Sequence, residues 1–263
     1  MNSPLLNIAV HIIRTAGNAI VKYYNLYEYN KTSEFIQKMY NKMECIFIDE
    51  INRFYPNDYI YFKNKNNIFN TTRSNIWIIE ILDGMINFIK HYPYFAISIA
   101  VIIKNKIEIA VIYDPIHDEL FTAVRGENAK LNEYRLRCSK DKNLENAIIS
   151  ISNSFKNIYK NKEDYKYEKI LNKLIVECNS FRYTGSSALD LAYIAAGRID
   201  CGLKKINIKS NFYSGELLIK ESGGLYIYLN ENINNTKDNI IIIGNPNIVN
   251  IILNKINFIN KNK

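Results

Sequence analysis

Residues 77–88 read Trp-Ile-Ile-Glu-Ile-Leu-Asp-Gly-Met-Ile-Asn-Phe, and they hold the clearest chemistry in the chain. Two carboxylates, Glu80 and Asp83, follow the apolar run Ile76-Trp77-Ile78-Ile79, with Gly84 and Asn87 just beyond. A strand running into such a turn lets two carboxylates and a freed backbone carbonyl converge on a hard cation, which takes oxygen ligands. The same acid-x-x-acid-Gly pattern also fits a solvated loop, so the segment alone leaves both readings open.

The surrounding elements decide where that turn can sit. Helical spacing predicts two helices first, at about residues 4–25 and 34–54, the second carrying Phe35, Met39, Met43, Ile46 and Phe47 on one side. Strands then dominate from Tyr59 to Tyr134, and the later part alternates helices with short strands. The Asn-rich stretches 63–70 and 230–238 read as loops. No internal repeat is visible.

At 263 residues, 48% of them hydrophobic, the chain can bury a substantial core as one large domain or two closely packed halves. Its apolar runs are short, none reaching the roughly 18 residues of a membrane span. The N-terminus enters a helical pattern at Leu5-Leu6, Ala9-Val10, Ile13 and Ala16 with no signal-peptide layout, so the expectation is a cytoplasmic protein with no membrane contact. Cys45, Cys138, Cys178 and Cys201 form no C-x-x-C or Cys/His cluster and read as buried small hydrophobes rather than a zinc site or disulfide frame. A net charge of +8 invites a nucleic-acid reading. However, the crowding of Lys, Asn, Ile, Tyr and Phe beside only 10 Gly and 5 Pro matches a codon bias towards A and T, which raises the charge without any RNA contact. The most basic run, Lys156 to Lys173, interleaves Tyr159, Tyr165 and Tyr167. Glu163, Asp164 and Glu168 break it, as expected of an exposed amphipathic helix.

The segment Glu80-Ile81-Leu82-Asp83-Gly84-Met85-Ile86-Asn87-Phe88 resembles the Asp-Pro-Ile/Leu-Asp-Gly-Thr-x-Asn-Phe signature of the inositol monophosphatase family. The likeness continues through Pro93 to Ala100, Tyr113-Asp114-Pro115, Glu119 to Gly126, Asn132 to Leu136, Phe181 to Tyr193, Ala196 to Asp200, Gly215 to Leu218 and Glu221 to Gly224. It implies a layered αβαβα, inositol-monophosphatase-like (sugar phosphatase) fold of mixed α+β and α/β character. An N-terminal α+β part, residues 1–145, would meet a C-terminal α/β part, residues 146–263, in one compact unit. It also implies Mg²⁺-dependent phosphomonoester hydrolysis.

The metal ligands implied by the resemblance are a Glu-Glu loop, the two acids of the turn with the carbonyl between them, and an Asp in a late Trp-Asp pair. In this chain Lys63-Asn64-Lys65 aligns with the Glu-Glu loop, and Lys63 stands at the first ligand. A protonated lysine offers donors and no lone pair. A unit charge pair is worth roughly 4 kcal/mol at 4 Å in an effective dielectric near 20, so exchanging attraction for repulsion should cost several kcal/mol of metal affinity. Glu80 replaces the first Asp of the turn, Ile81 its proline, Met85 the threonine that helps orient the attacking water, and Ser210-Asn211 the Trp-Asp pair. The Thr-x-x-Asp that opens the second helix has become Gln37-Lys38-Met39-Tyr40, while the Leu82 carbonyl, Asp83, Gly84 and Asn87 persist.

The remnant metal set by resemblance is therefore Glu80, Leu82 and Asp83, with Mg²⁺ weakly bound or absent, and the remnant substrate set is Leu82, Asp83, Gly84, Met85, Arg182 and Asn211. Two-ion hydrolysis needs both metals held, so catalysis is expected to be lost. Within the family the likeness runs to a bacterial branch that doubles as a Nus factor. That likeness implies NusA and RNA polymerase as partners in ribosomal RNA antitermination, contact with rRNA, and a homodimer. Arg182, Tyr183, Asp190, Arg198 and Asp200 lie in the segment of strongest likeness, and each also fits an ordinary helix cap or surface ion pair. The alternative is a weak Mg²⁺-dependent inositol-1-phosphate phosphatase working through Asp83, Glu80 and a relocated ligand such as Glu216 or Asp190.

Overall fold

The structure is a computed structural model that describes residues 3–27, 32–65, 75–151, 162–206, 212–229 and 239–261. The two predicted helices are present as α1 (Pro4–Leu26) and α2 (Thr32–Phe54). Pro4 sits in the first turn of α1, where no backbone N–H is needed. α1 is long and apolar enough to cross a membrane. In this fold its stripe Leu5, Ala9, Ile12, Ile13, Ala16 and Ile20 is buried in the protein core, and α2 buries Met39, Met43, Phe47 and Ile51 at intervals of four.

The stretch from Tyr59 to Arg135 forms one sheet. It comprises β1 (Tyr59–Phe62), β2 (Asn75–Asp83), β3 (Ala96–Ile103), β4 (Lys106–Asp114), β5 (Glu119–Val124), β6 (Lys130–Leu131) and β7 (Tyr134–Arg135), interrupted by the short helix α3 (Met85–Ile89). The strands lie in sequence order, with β1 parallel to β2 and every later pair antiparallel. The second half supplies β8 (Ile148–Ile151), α4 (Lys162–Ile175), β9 (Ser180–Arg182), α5 (Ser187–Ala195), β10 (Cys201–Ile206), α6 (Tyr213–Glu221), β11 (Leu225–Tyr228), β12 (Asn239–Gly244) and α7 (Pro246–Lys261). Its sheet runs β11-β12-β10-β8-β9, parallel only among β10, β8 and β9.

Side-chain alternation along β2 explains how the layers stack. Trp77, Ile79 and Ile81 point into a core shared with α1 and α2, whereas Ile76 and Ile78 join a second core with α5 and α6. That second core also takes Ile241 and Ile243 from β12, whose other face, Ile240 and Ile242, packs with α4 and α7. The order is α1/α2, sheet, α5/α6, sheet, α4/α7, the αβαβα layering expected. Trp77 is fully buried, and its indole N–H donates to Asp58 Oδ2 at 2.9 Å.

Three sequence expectations meet limits or corrections here. The basic run 156–173 is described only from 162, where α4 buries Ile170, Leu171 and Leu174. The loop 63–70 is described only to Lys65, and 230–238 lies outside the described residues. The cysteines are not uniformly buried: Cys201 is, Cys138 and Cys178 are intermediate, and Cys45 is exposed. Cys45 falls between the buried positions Met43 and Phe47 of α2 and so turns to solvent, which composition alone does not reveal. Burial pushes the Cys201 thiol up to about 12, and burial aided by the Glu177 carboxylate does the same for Cys178. Alkylation of the native protein at mildly alkaline pH should therefore modify Cys45 first and leave Cys178 and Cys201 unmodified, since the thiolate is the reactive form. Peptide mass spectrometry reads this directly, and early adducts on Cys178 or Cys201 would contradict it.

Candidate functional site

The site forms where β1 and β2 run side by side into α3. Parallel pairing sets Phe62 opposite Ile79, and the Lys63 N–H donates to the Ile79 carbonyl at 3.0 Å, which brings Lys63 beside Glu80. Their side chains form an ion pair, with Lys63 Nζ at 2.5 Å from Glu80 Oε1, both largely shielded from solvent. Two residues on, Lys65 Nζ pairs with Glu44 Oε2 of α2 at 2.5 Å, and Asn64 Nδ2 donates to Glu44 Oε1 at 3.3 Å. The segment aligned with the family's Glu-Glu loop is thus pinned to β2 by one lysine and to α2 by the other.

Burial and the neighbouring Asp83 charge push the Glu80 carboxyl up to about 7, against the opposing pull of the Lys63 ammonium. Tyr40, from the altered Thr-x-x-Asp position of α2, is buried next to this pair. Burial, then the charges of Glu80 and Asp83, raise its phenol far above the ordinary value.

Asp83 has a different job. The β2–β3 register shifts between Glu80 and Asp83, and Gly84 follows with φ 91°, turning the chain into α3. Asp83 Oδ2 accepts from Ser186 Oγ at 2.7 Å and from the Ala188 N–H at 2.6 Å. It therefore sits at the positive end of α5, whose N-cap is Ser186. Asn87 fastens the same junction, its Nδ2 donating to the carbonyls of Tyr94 at 2.7 Å and Thr184 at 2.8 Å. Leu82 is buried, and Met85, the first residue of α3, is exposed.

The remaining candidates fall outside this cluster or into structural roles. The Arg182 guanidinium folds back on its own strand, donating to Ser180 Oγ and, at 3.1 Å, to the Phe181 carbonyl. Arg198 forms a two-pronged pair with Glu119 at 2.6 and 2.5 Å and stacks over Tyr193. Asp200 accepts from Ser139 Oγ at 2.5 Å and the Ile148 N–H at 2.8 Å, joining segments ahead of β8 and β10. Tyr183 is exposed beside Arg182, and Ser210-Asn211 lie outside the described residues.

Neither relocated ligand is available to the turn. Asp190 is buried, accepts from Thr184 Oγ1 at 2.6 Å and Tyr94 OH at 3.3 Å, and pairs with the buried Lys204. Glu216 pairs with Lys220 at 2.6 Å and lines a cavity with Ile76, at the opposite end of β2 from Asp83, roughly 20 Å away at the rise of an extended strand. Sequence reasoning overlooked Lys204 and Glu44. A lysine in the alternating strand Cys201-Gly202-Leu203-Lys204 carries only a faint signal, because its partner is fourteen residues upstream on another element.

Magnesium asks for near-octahedral oxygen coordination. Here Glu80 is engaged by an ammonium, one oxygen of Asp83 is engaged by two donors, and among the described residues no group of three His, Cys, Asp or Glu side chains could hold a metal. The described residues do not fit the two-ion site of the resemblance.

The whole chain nevertheless matches known proteins closely. It is 41% identical over 258 residues to the Nus factor SuhB of Escherichia coli strain K12, covering 95% of this chain and 94% of that protein. It is 44% identical over 235 residues to the Nus factor SuhB of Buchnera aphidicola subsp. Schizaphis graminum, covering 87% and 86%. Among solved structures, the extragenic suppressor protein suhB of Bartonella henselae superposes with a TM-score of 0.82 at 30% identity, over 97% of this chain and all of that one. The family model for the inositol monophosphatase family matches residues 1–259. With the αβαβα layers, the Asp83-Gly84 turn and this match in agreement from end to end, the chain belongs to the inositol monophosphatase family.

Proposed function

We propose that this chain acts as a SuhB-like Nus factor in the cytoplasm, joining NusA and RNA polymerase in the complex that carries transcription through ribosomal RNA operons and assists rRNA folding, and that it no longer hydrolyses inositol phosphates. The reading is supported by one combination above all. Likeness to proteins named Nus factor SuhB extends over nearly the entire chain, while an internal ion pair takes up the acidic pocket that the family's chemistry requires. A partner-binding role needs an intact scaffold and surface, and the layered apolar cores provide the scaffold. A homodimer that opens for its partner, and contact with rRNA, belong to the same proposal.

Two measurements test it together. Purified chain should co-elute with NusA and RNA polymerase and extend transcription past terminators on an rRNA leader template. It should also release no phosphate from inositol 1-phosphate at any Mg²⁺ concentration, against an active family member as control. Failure to bind NusA overturns the Nus-factor assignment. Mg²⁺-dependent turnover abolished by Asp83→Asn restores the phosphatase reading.

A further inference from the structure

We infer that Lys63 has taken over the role of the metal ion: its ammonium is the resident cation of the acidic pocket, supplied covalently by the chain. The inference deepens the reading of this site as non-catalytic and rests on it. It makes a separate statement, however, namely that the pocket has not merely lost affinity for a divalent ion but is already filled by a cation that cannot dissociate.

The geometry carries this. Glu80 and Asp83 stand close enough at the end of β2 for the charge of one to act on the other, Glu44 of α2 faces the segment that follows β1, and two ammonium groups from that one short segment meet two of these three carboxylates. Lys63 lies 2.5 Å from Glu80 and Lys65 lies 2.5 Å from Glu44. The third, Asp83, is satisfied by the Ser186 hydroxyl and the Ala188 amide. Buried or half-buried carboxylates left without a counter-charge are costly, so a protein that dispenses with a divalent ion must provide another cation or lose the acids. This chain keeps the acids and provides the lysine. The backbone bond from Lys63 to Ile79 fixes the donor strand in register, so the amino group is delivered by β1–β2 pairing rather than by a chance rotamer of a surface side chain. The Lys65–Glu44 pair and the Asn64 contact hold the segment from its other side. Lysine reaches the carboxylate through a flexible stem as a compact point charge, the property that suits it to replace an ion.

The consequence is a protein indifferent to magnesium, in which removal of one amino group creates a response to it. The test compares the full chain with Lys63→Glu and Lys63→Ala, measuring thermal unfolding in millimolar MgCl₂ and in NaCl of equal ionic strength. Folding of each variant is first confirmed by circular dichroism, and phosphate release is measured in parallel. The natural chain is expected to unfold at the same temperature in both salts. Both variants should be less stable in NaCl, and each should gain a saturable, Mg²⁺-specific rise of a few degrees, larger for Lys63→Glu. Lys63→Ala keeps the test valid if the crowded acids of Lys63→Glu prevent folding. A Mg²⁺-specific stabilisation of the natural chain overturns the inference, as does a folded Lys63→Ala that ignores Mg²⁺. Phosphate release by the natural chain is a different failure, because it would remove the non-catalytic reading itself, whereas Mg²⁺ binding without turnover would remove only the role assigned to Lys63.

Discussion

Lys204→Met is expected to destabilise the protein by about 3–5 kcal/mol, the range found when one member of a buried ion pair is removed and the other is left behind. Lys204 and Asp190 are both almost completely withdrawn from solvent and pair with each other across β10 and α5. Lys204 Nζ also lies 3.4 Å from the Ile151 carbonyl, at the end of β8. Methionine fills much of the same volume, so the loss reports the stranded Asp190 carboxylate rather than a cavity. Thr184 and Tyr94 would still donate to that carboxylate, which places the expectation at the lower end of the range. The double variant Lys204→Met with Asp190→Leu removes both charges and should recover a large part of the deficit. Urea unfolding of the single and double variants gives the comparison. Equal losses in the two would mean that packing, not charge, sets the cost.

Gly84→Ala is expected to cost about 3 kcal/mol and to loosen the whole Asp83 turn. Gly84 holds φ 91°, a conformation that costs a side-chain-bearing residue roughly 1–3 kcal/mol. A Cβ there would also stand 2.9 Å from the Tyr94 carbonyl oxygen and 3.2 Å from Phe95 Cα, backbone atoms that cannot swing aside. Gly126 supplies the control. It has a comparable φ of 79° with nothing within 4 Å of the added methyl, so Gly126→Ala should cost only the conformational part, about 1–2 kcal/mol. Thermal melts of both variants separate backbone strain from collision. If the two alanines cost the same, the close approach of Tyr94 and Phe95 is not contributing. A movement of Asp83 away from Ser186 and Ala188 in Gly84→Ala would appear as faster amide exchange at the start of α5, because those bonds hold that helix end.

The sequence by itself determined which elements form and which of their faces are apolar, because periodicity is a local property, while the order of the layers was implied by the family resemblance. The stripe Met39, Met43, Phe47 and Ile51 makes α2 amphipathic wherever it docks, and the unbroken apolar run Ile76, Trp77, Ile78, Ile79 makes β2 a strand that must be covered on both faces. It also determined that the Asp83-Gly84 turn survives while Lys63, Glu80 and Met85 depart from the resembled pattern, since these are identities at fixed positions. Tertiary structure alone decided what the departures do. Lys63 and Glu80 are seventeen residues apart, and only the parallel register of β1 on β2 makes them an ion pair rather than a missing ligand beside an idle acid. Asp83 became the anchor of α5 through partners more than a hundred residues away, and Asp190 proved to be engaged by Lys204, a residue whose place in an ordinary-looking strand gave no warning. Residue type limits which charges a site can contain. Their pairing depends on long-range strand register and helix placement, which no local pattern encodes.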